Sequence, residues 1–421
     1  MKIKIDHIAK IEGHAGFVAD IAGGNVVKAR LDVEEGARLL EGILQGRTYD
    51  EVSQITQRIC GVCPVVHTLT SLKALENAMQ IFPSQQTILL RELMMMGQIL
   101  NSHALHLFFF SLSDFFGFKD DLALIKKYPN KAKDALIIRD FGNKLIEIIG
   151  GRSIHPLTPE VGGFKKMPDL NKLKQLEEEI PKALKATIDL AKFFSRLKYP
   201  EFDRKCQFVS LVLKGQYANY DGLMQAGKEI FKVAEFMPKI KERQVEYNPQ
   251  VKRADFAQEP YMVGALARIN NSLQYLKPKA RAIFRETDLI LPIKNPFYNI
   301  LAQAVEMVHC VEESQELLQK LFKQGVEPEA NSFKVRPGKG YSAIEAPRGT
   351  LFYYYEVGED GLIKNANIIT PTSQNLGRLE RDLVEFLPQL TKGKKVCAKD
   401  CEDLIKMLVR AYDPCLTCAT H

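Results

Sequence analysis

Two short stretches of the chain carry residue types and spacings suited to metal chemistry. One holds Cys60 and Cys63, with Arg58 before them and His67 after; the other holds Cys415 and Cys418, with Asp413 before them and His421 after. Each is a C-x-x-C followed by a histidine. A tight turn or a first helical turn brings residues i and i+3 to one side, so both sulfurs of a pair can face one point. Gly61 supplies a permissive backbone in the first pair, and Pro414 fixes φ before the second. Four thiolates form a soft donor set that suits zinc, iron-sulfur or nickel and does not suit magnesium or calcium. Zinc ribbons separate their halves by about 15 to 20 residues, whereas about 350 intervene here. A thioredoxin-like dithiol would need one pair in a βαβ setting, and Cys60 stands before a helix in a helical region. The spacing points to a four-cysteine metal site and leaves the metal open.

Such a site needs a frame that brings the two chain ends together. The first 35 residues alternate apolar and polar positions on either side of Gly23, Gly24 and Asn25, which predicts an antiparallel hairpin. Helical periodicity then runs through segments near 37–46, 64–80, 85–116, 131–150, 171–197, 221–246 and 297–323. Strand patterns return at 340–346, 349–357 and 362–370, ahead of two last helices near 375–389 and 400–411. This order predicts an α+β fold: mainly a helical bundle, with a small mixed or antiparallel sheet formed from the N- and C-terminal segments together. No repeat or linker divides the chain, so 1–421 reads as one domain. It is strand-rich over 1–35 and 340–370 and helical over 37–323, with C-terminal helices and the metal-binding end over 375–421.

At 421 residues, 46% hydrophobic and 26% charged, the chain can bury a large core. Its net charge of +7 comes from lysines scattered through helical segments such as 165–185. They form no basic stripe interleaved with aromatics, which argues against nucleic acid. The opening residues, Met1 to His14, lack the apolar stretch of roughly 7 to 15 residues of an export signal. The most apolar run, Leu105 to Leu112, is far short of the roughly 20 residues that span a bilayer. Eight cysteines without export suit a reducing compartment. The expected location is cytoplasmic, with no direct membrane span.

With both motifs complete, the chain resembles the large, active-site subunit of nickel-iron hydrogenases. That family carries R-x-C-G-x-C-x-x-x-H near its N-terminus and D-P-C-x-x-C-x-x-H at its C-terminal end, and the resemblance covers nearly the whole chain. It implies reversible heterolytic cleavage of H2 at a nickel-iron centre. Cys60, Cys63, Cys415 and Cys418 would bind nickel; Cys63 and Cys418 would also bridge to an iron carrying carbon monoxide and cyanide. The open position between the metals would be where hydrogen is split.

The resemblance assigns the surroundings as well. Heterolysis needs a base beside the metal: Cys415 is the implied proton acceptor, and Glu12, beside Gly13, the carboxylate that passes the proton outward. Arg348 matches the arginine that hangs over the metal pair as a fixed cation. Asp114 and Asp413 fall where the family has carboxylates flanking that arginine. Pro371 and Thr372 match positions that hydrogen-bond a cyanide through a hydroxyl and backbone amide, and His67 would hydrogen-bond near a bridging thiolate. Glu41, the carbonyl of Ile368 and His421 match a magnesium or iron position completed by water. As residues alone, Glu12 also fits a salt-bridged surface glutamate, Asp114 a helix cap, and Pro371 and Thr372 a turn. His103 and His106, one helical turn apart, read as buried, hydrogen-bonded core histidines. Cys206, Cys310, Cys397 and Cys401 match no motif and read as structural thiols.

Family precursors are cut after the final histidine by a maturation protease once nickel-insertion proteins have acted, so the end at His421 resembles a matured form or a gene without an extension. The compact length and the Arg410 to Pro414 segment resemble the cytoplasmic, multimeric, bidirectional branch, such as sulfhydrogenases and enzymes that use pyridine nucleotide or deazaflavin. No G-x-G-x-x-G follows a strand. Flavin, NAD(P) and iron-sulfur clusters are therefore expected on partners: a small subunit with iron-sulfur clusters, meeting this chain around Glu12–Phe17 and Cys60–His67, and diaphorase-like or other electron-transfer subunits. Within the family the alternative is a membrane-bound, energy-converting hydrogenase. Outside it stand the homologous quinone-pocket subunit of complex I, which has lost the cysteines, and a zinc-stapled scaffold.

Overall fold

Helix Pro64–Met79 is buried on nearly every side, and the site is built from its first turn. It begins where it does because Pro64 fixes φ for a first helical residue and lacks an N–H that would go unpaired there. The computed structural model describes residues 2–22, 25–118, 120–329, 332–391 and 398–421. Strands Gly338–Ala346 and Gly349–Val357 lie against this helix, so closely that a Cβ on Gly340 would overlap the carbonyl of Ala74. Helices Gln85–Ala104, Pro129–Gly150, Ile180–Ser195 and Asn299–Gln324 pack on one another as a bundle. At one crossing a Cβ on Gly97 or Gly142 would sit 2.6 Å from the other's carbonyl oxygen, so only glycine permits the approach. The helix expected over 85–116 is unbroken along the chain, but Leu105–Ser111 is π-helical, an extra residue per turn that often accompanies functional sites.

Strands Gly338–Ala346, Gly349–Val357 and Ile363–Ile369 pair antiparallel in that order. The middle strand shows no apolar–polar alternation because both of its faces are covered. Leu351, Tyr353 and Tyr355 join the main core, while Phe352 and Tyr354 join a smaller one with Val209, Leu211, Met224 and Phe231.

The α+β class holds, with two corrections inside it. Strands Lys2–Ile5, Ala15–Ala22 and Asn25–Val33 form their own antiparallel sheet, so the two chain ends do not share one. Strand Asn25–Val33 is held instead by helix Pro371–Thr391, with Leu31 N donating to Glu380 Oε1 at 3.3 Å. The expected turn residues Gly23 and Gly24 lie outside the described residues. Second, half of the helix expected near 221–246 is strand, Leu223–Ala226, Glu229–Phe231 and Ile240–Val245, with only Phe236–Lys239 an α-helix and a 3₁₀ turn before it. Met224 and Ala226 face the smaller core while Leu223 is exposed, a period of two that tertiary burial selects over helical propensity. Among the described residues no helix is long and apolar enough to cross a membrane.

Candidate metal centre

Cys60 follows a single 3₁₀ turn, Gln57–Ile59, and Cys63 is the last residue before helix Pro64–Met79. The backbone N–H groups of Val62 and Cys63 point at Cys60 Sγ, at 3.3 and 3.4 Å. At the other chain end Asp413 takes a left-handed backbone, φ 49°, and Cys415 opens the short helix Leu416–Ala419 that carries Cys418. A parallel bridge between Glu12 and Cys415 ties the two ends together, with Leu416 N donating to the Glu12 carbonyl at 2.9 Å. Both C-x-x-C pairs thus sit at the mouth of a helical turn, as their spacing predicts.

The four sulfurs converge. Cys60 Sγ is 3.4 Å from Cys415 Sγ, Cys63 Sγ is 3.7 Å from Cys418 Sγ, and Cys415 Sγ is 2.9 Å from Cys418 Sγ. Cys60, Cys63 and Cys418 satisfy the geometry of a metal-holding group, and all four residues are buried. Hydrogen bonds from Cys415, Cys418 and Cys63 hold the Cys60 thiol well below its usual range, whereas burial pushes Cys415 and Cys418 well above theirs. Four thiols so close in a dry interior ionise together only if a cation compensates them, which is what a soft metal does.

Arg348 occupies the two-residue turn between strands Gly338–Ala346 and Gly349–Val357 and lines one cavity with Cys63, His67, Cys415 and Cys418. Its Nε donates to Asp413 O at 2.7 Å and Oδ1 at 3.0 Å, and Nη2 lies 2.9 Å from Oδ1. Burial works against its charge, but Asp413 and the cysteine sulfurs more than offset that and hold the guanidinium protonated. Its buried Nη1 has no partner among the described residues, so an acceptor at the metal centre would satisfy it. Thr372, beside Pro371 at the start of helix Pro371–Thr391, accepts from Cys415 N at 3.0 Å, which leaves its hydroxyl hydrogen free to donate into the same cavity. His67 Nε2 lies 3.8 Å from Cys418 Sγ, and its Nδ1 is 2.7 Å from Tyr353 Oη. Burial lowers its pKa to about 3, so the ring is neutral.

Glu12 reaches the cluster directly: its Oε2 accepts from Cys415 Sγ at 3.0 Å and from Thr417 N at 3.2 Å, while Oε1 accepts from Thr417 Oγ1. It is half-buried and has no ion-pair partner among the described residues, unlike a surface salt-bridge glutamate. Asp114 requires a correction. Its carboxylate pairs with Arg410, not with Arg348, whose ion partner is Asp413. The guanidinium of Arg410 emerges from the helix that leads into the second motif and reaches Asp114 first. Burial raises the Asp114 pKa to about 6 in spite of Arg410.

The second group also assembles. His421 Nε2 lies 2.9 Å from the Ile368 carbonyl and 3.8 Å from Glu41 Oε1, and Ile368 N donates to Glu41 Oε1 at 2.7 Å. Burial would raise Glu41, but His421 and Lys252, the latter at 2.9 Å, outweigh it and bring the carboxyl to about 2. A carboxylate, a carbonyl and an imidazole together make a mixed, mainly hard donor set. His103 and His106 are buried and hydrogen-bonded, to Glu306 and Gln303. Cys310 is buried with its thiol pushed up by burial, Cys206 is half-buried, and Cys397 lies outside the described residues. Several neighbours escaped the sequence reading: Tyr353, Lys252, and Arg38, which donates to the carbonyls of Ile59 and Thr417. Thr417 escaped too, although its place between two motif cysteines was a usable signal.

The model of a family described as nickel-dependent hydrogenase matches residues 38–135 and 235–421. The chain belongs to this family. It is the catalytic subunit of a nickel-dependent hydrogenase, and the family implies a nickel-iron centre. Sulfhydrogenase 1 subunit alpha of Pyrococcus furiosus is 33% identical over 100% of this chain and 98% of the relative. The NAD-reducing hydrogenase HoxS subunit beta of Cupriavidus necator is 27% identical over 100% of this chain and 94% of its own length. The crystal structure of an NAD+-reducing nickel-iron hydrogenase in the H2-reduced state superposes with a TM-score of 0.91 at 28% identity, covering 100% of this chain and 99% of that one. Both sequence relatives are named as subunits, so this hydrogenase chain is similar to one component of multi-subunit enzymes.

Proposed function

We propose that Cys60, Cys63, Cys415 and Cys418 are the nickel ligands of this hydrogenase, with Cys63 and Cys418 also bridging to an iron that carries carbon monoxide and cyanide. The observation that carries this reading is the convergence of four buried sulfurs from both chain ends, with a carboxylate oxygen 3.0 Å from one of them. When bound, the nickel-iron group supplies heterolytic cleavage of H2. The chain's own residues do the rest. Cys415 Sγ holds the released proton, and Glu12 Oε2 takes it, because that sulfur already donates to that oxygen. Arg348, fixed by Asp413, presents Nη1 as a permanent donor over the cluster, and Thr372 offers its hydroxyl hydrogen to a cyanide. Neutral His67 faces the Cys418 sulfur and adjusts its basicity. Glu41, the Ile368 carbonyl and His421 would hold a magnesium or iron ion, which would fix His421 beside the centre.

Electrons leave through a small subunit with iron-sulfur clusters to NAD(P), ferredoxin or another soluble carrier on further partner subunits, a reading supported by the sulfhydrogenase and NAD-reducing relatives. The docking surface includes exposed His14 and Gly61; Phe17 and His67, once expected there, are buried. The sulfhydrogenase and NAD-reducing relatives support a cytoplasmic enzyme over the membrane-bound alternative. The test is metal analysis of the purified complex with infrared spectroscopy. Nickel at one atom per chain, with iron at the cysteine site giving carbon monoxide and cyanide bands, is expected; zinc alone would overturn the reading.

A further inference from the structure

Two polar rungs join buried helices behind the metal centre. His103 Nε2 lies 2.9 Å from Glu306 Oε2, and His106 Nδ1 lies 2.5 Å from Gln303 Oε1. The numbers run in opposite directions, so the rungs fall one turn apart on facing helices. Each rung leads to a different end of Arg348. From Gln303, Nε2 donates to Asp413 Oδ2 at 3.1 Å, and Asp413 Oδ1 holds the guanidinium. From Glu306, both carboxylate oxygens hold Arg268, at 2.6 and 2.7 Å. Arg268 then donates to the carbonyls of Ala346 at 2.9 Å and Pro347 at 3.1 Å, the two residues before Arg348, and to Glu345 Oε2 at 2.9 Å.

All five N–H groups of Arg268 are thereby used, on one carboxylate, a second carboxylate and two carbonyls. A fork with every donor engaged in a buried site admits one orientation, and so fixes the turn that carries Arg348. Gln303, 1% exposed, cannot exchange its bond to Asp413 for water. We propose that Gln303 and Arg268 are positioning residues for Arg348: one sets its guanidinium through Asp413, the other sets its backbone through the Ala346 and Pro347 carbonyls. This rests on the reading of Arg348 as the fixed cation of the centre.

The test is a double-mutant cycle in the assembled holoenzyme, with Gln303→Met and Arg348→Lys made singly and together. Methionine keeps the length and volume of Gln303 and removes its amide. In the parent background Gln303→Met should lower kcat about tenfold or more, with KM, nickel and iron unchanged and the cyanide bands displaced. In the Arg348→Lys background the same change should cost less than about twofold, because the residue it positions is gone. Equal cost in both backgrounds, or parental kcat in Gln303→Met alone, overturns the positioning role. Arg348→Lys at parental rate overturns instead the reading of Arg348 on which it rests. Should Gln303→Met not assemble, Gln303→Asn, which keeps an amide but withdraws it by one methylene, should reproduce the pattern; failure of both to assemble assigns Gln303 to folding and ends the proposal.

Discussion

The carboxylate of Glu12 lies 3.0 Å from the sulfur of Cys415, a residue 403 positions away, and a backbone bridge between the same two residues fixes the approach. On the proposed roles, metal binding and proton removal fall to different residues: Cys415 holds metal and Glu12 receives the proton.

Glu12→Gln keeps size and hydrogen-bonding capacity but removes the titrating group. Nickel, iron and the infrared bands should persist while turnover falls about a hundredfold or more. Interconversion of para- and ortho-hydrogen should survive, because it needs only cleavage and recombination, and exchange with solvent deuterium should be lost. Deuterium exchange at the parental rate, or loss of nickel, would remove Glu12 from the proton route.

Cys63→Ser and Cys418→Ser should each abolish assembly of the centre, since a hard alkoxide is a poor bridge between soft metals. Metal analysis of the purified chain should find nickel at background. A serine variant with full nickel would show that the bridging roles are misassigned.

Arg348→Lys replaces a planar guanidinium, held by Asp413 at two of its nitrogens, with a flexible ammonium. The proton route stays intact, so the expected loss is in cleavage itself. Para–ortho interconversion should slow by about a hundredfold, in contrast to Glu12→Gln.

Glu92, on helix Gln85–Ala104, faces a cleft shared with Asp221 and Glu313. Burial, with Glu313 and Asp221 adding to it, raises its pKa to about 7. The folded state then binds the extra proton between about pH 4.5 and 7, so stability falls as pH rises through that window and stays lower above it. Glu92→Gln, neutral throughout, should stabilise the enzyme by about 1–3 kcal/mol at pH 8 and change little at pH 4.5. Unfolding midpoints at the two pH values read this directly; a variant less stable at pH 8 would contradict it.

Much of the site was legible because its information is local. The C-x-x-C spacing, Pro64 after Cys63 and Pro414 before Cys415 dictate turns that aim paired sulfurs without reference to the rest of the chain. The helices of the bundle were legible for the same reason, because burial imprints a period on consecutive residues, and the strands of 340–370 were legible as short apolar, aromatic-rich runs bounded by turns. The segment 221–246 was misread because its short strands draw their burial from a distant sheet, through Phe352 and Tyr354, and leave too few consecutive positions to show a period.

What only the tertiary structure decided is which charges meet. Nothing in the chain order says that Asp114 goes to Arg410 while Asp413 goes to Arg348, or that Gln303 stands behind Asp413. Sequence alone determined the donor set and its softness, because ligand chemistry belongs to residue types. The partners of each buried charge depend on which side chain reaches it first when the helices close, and that is a property of packing across hundreds of residues, invisible to any local pattern.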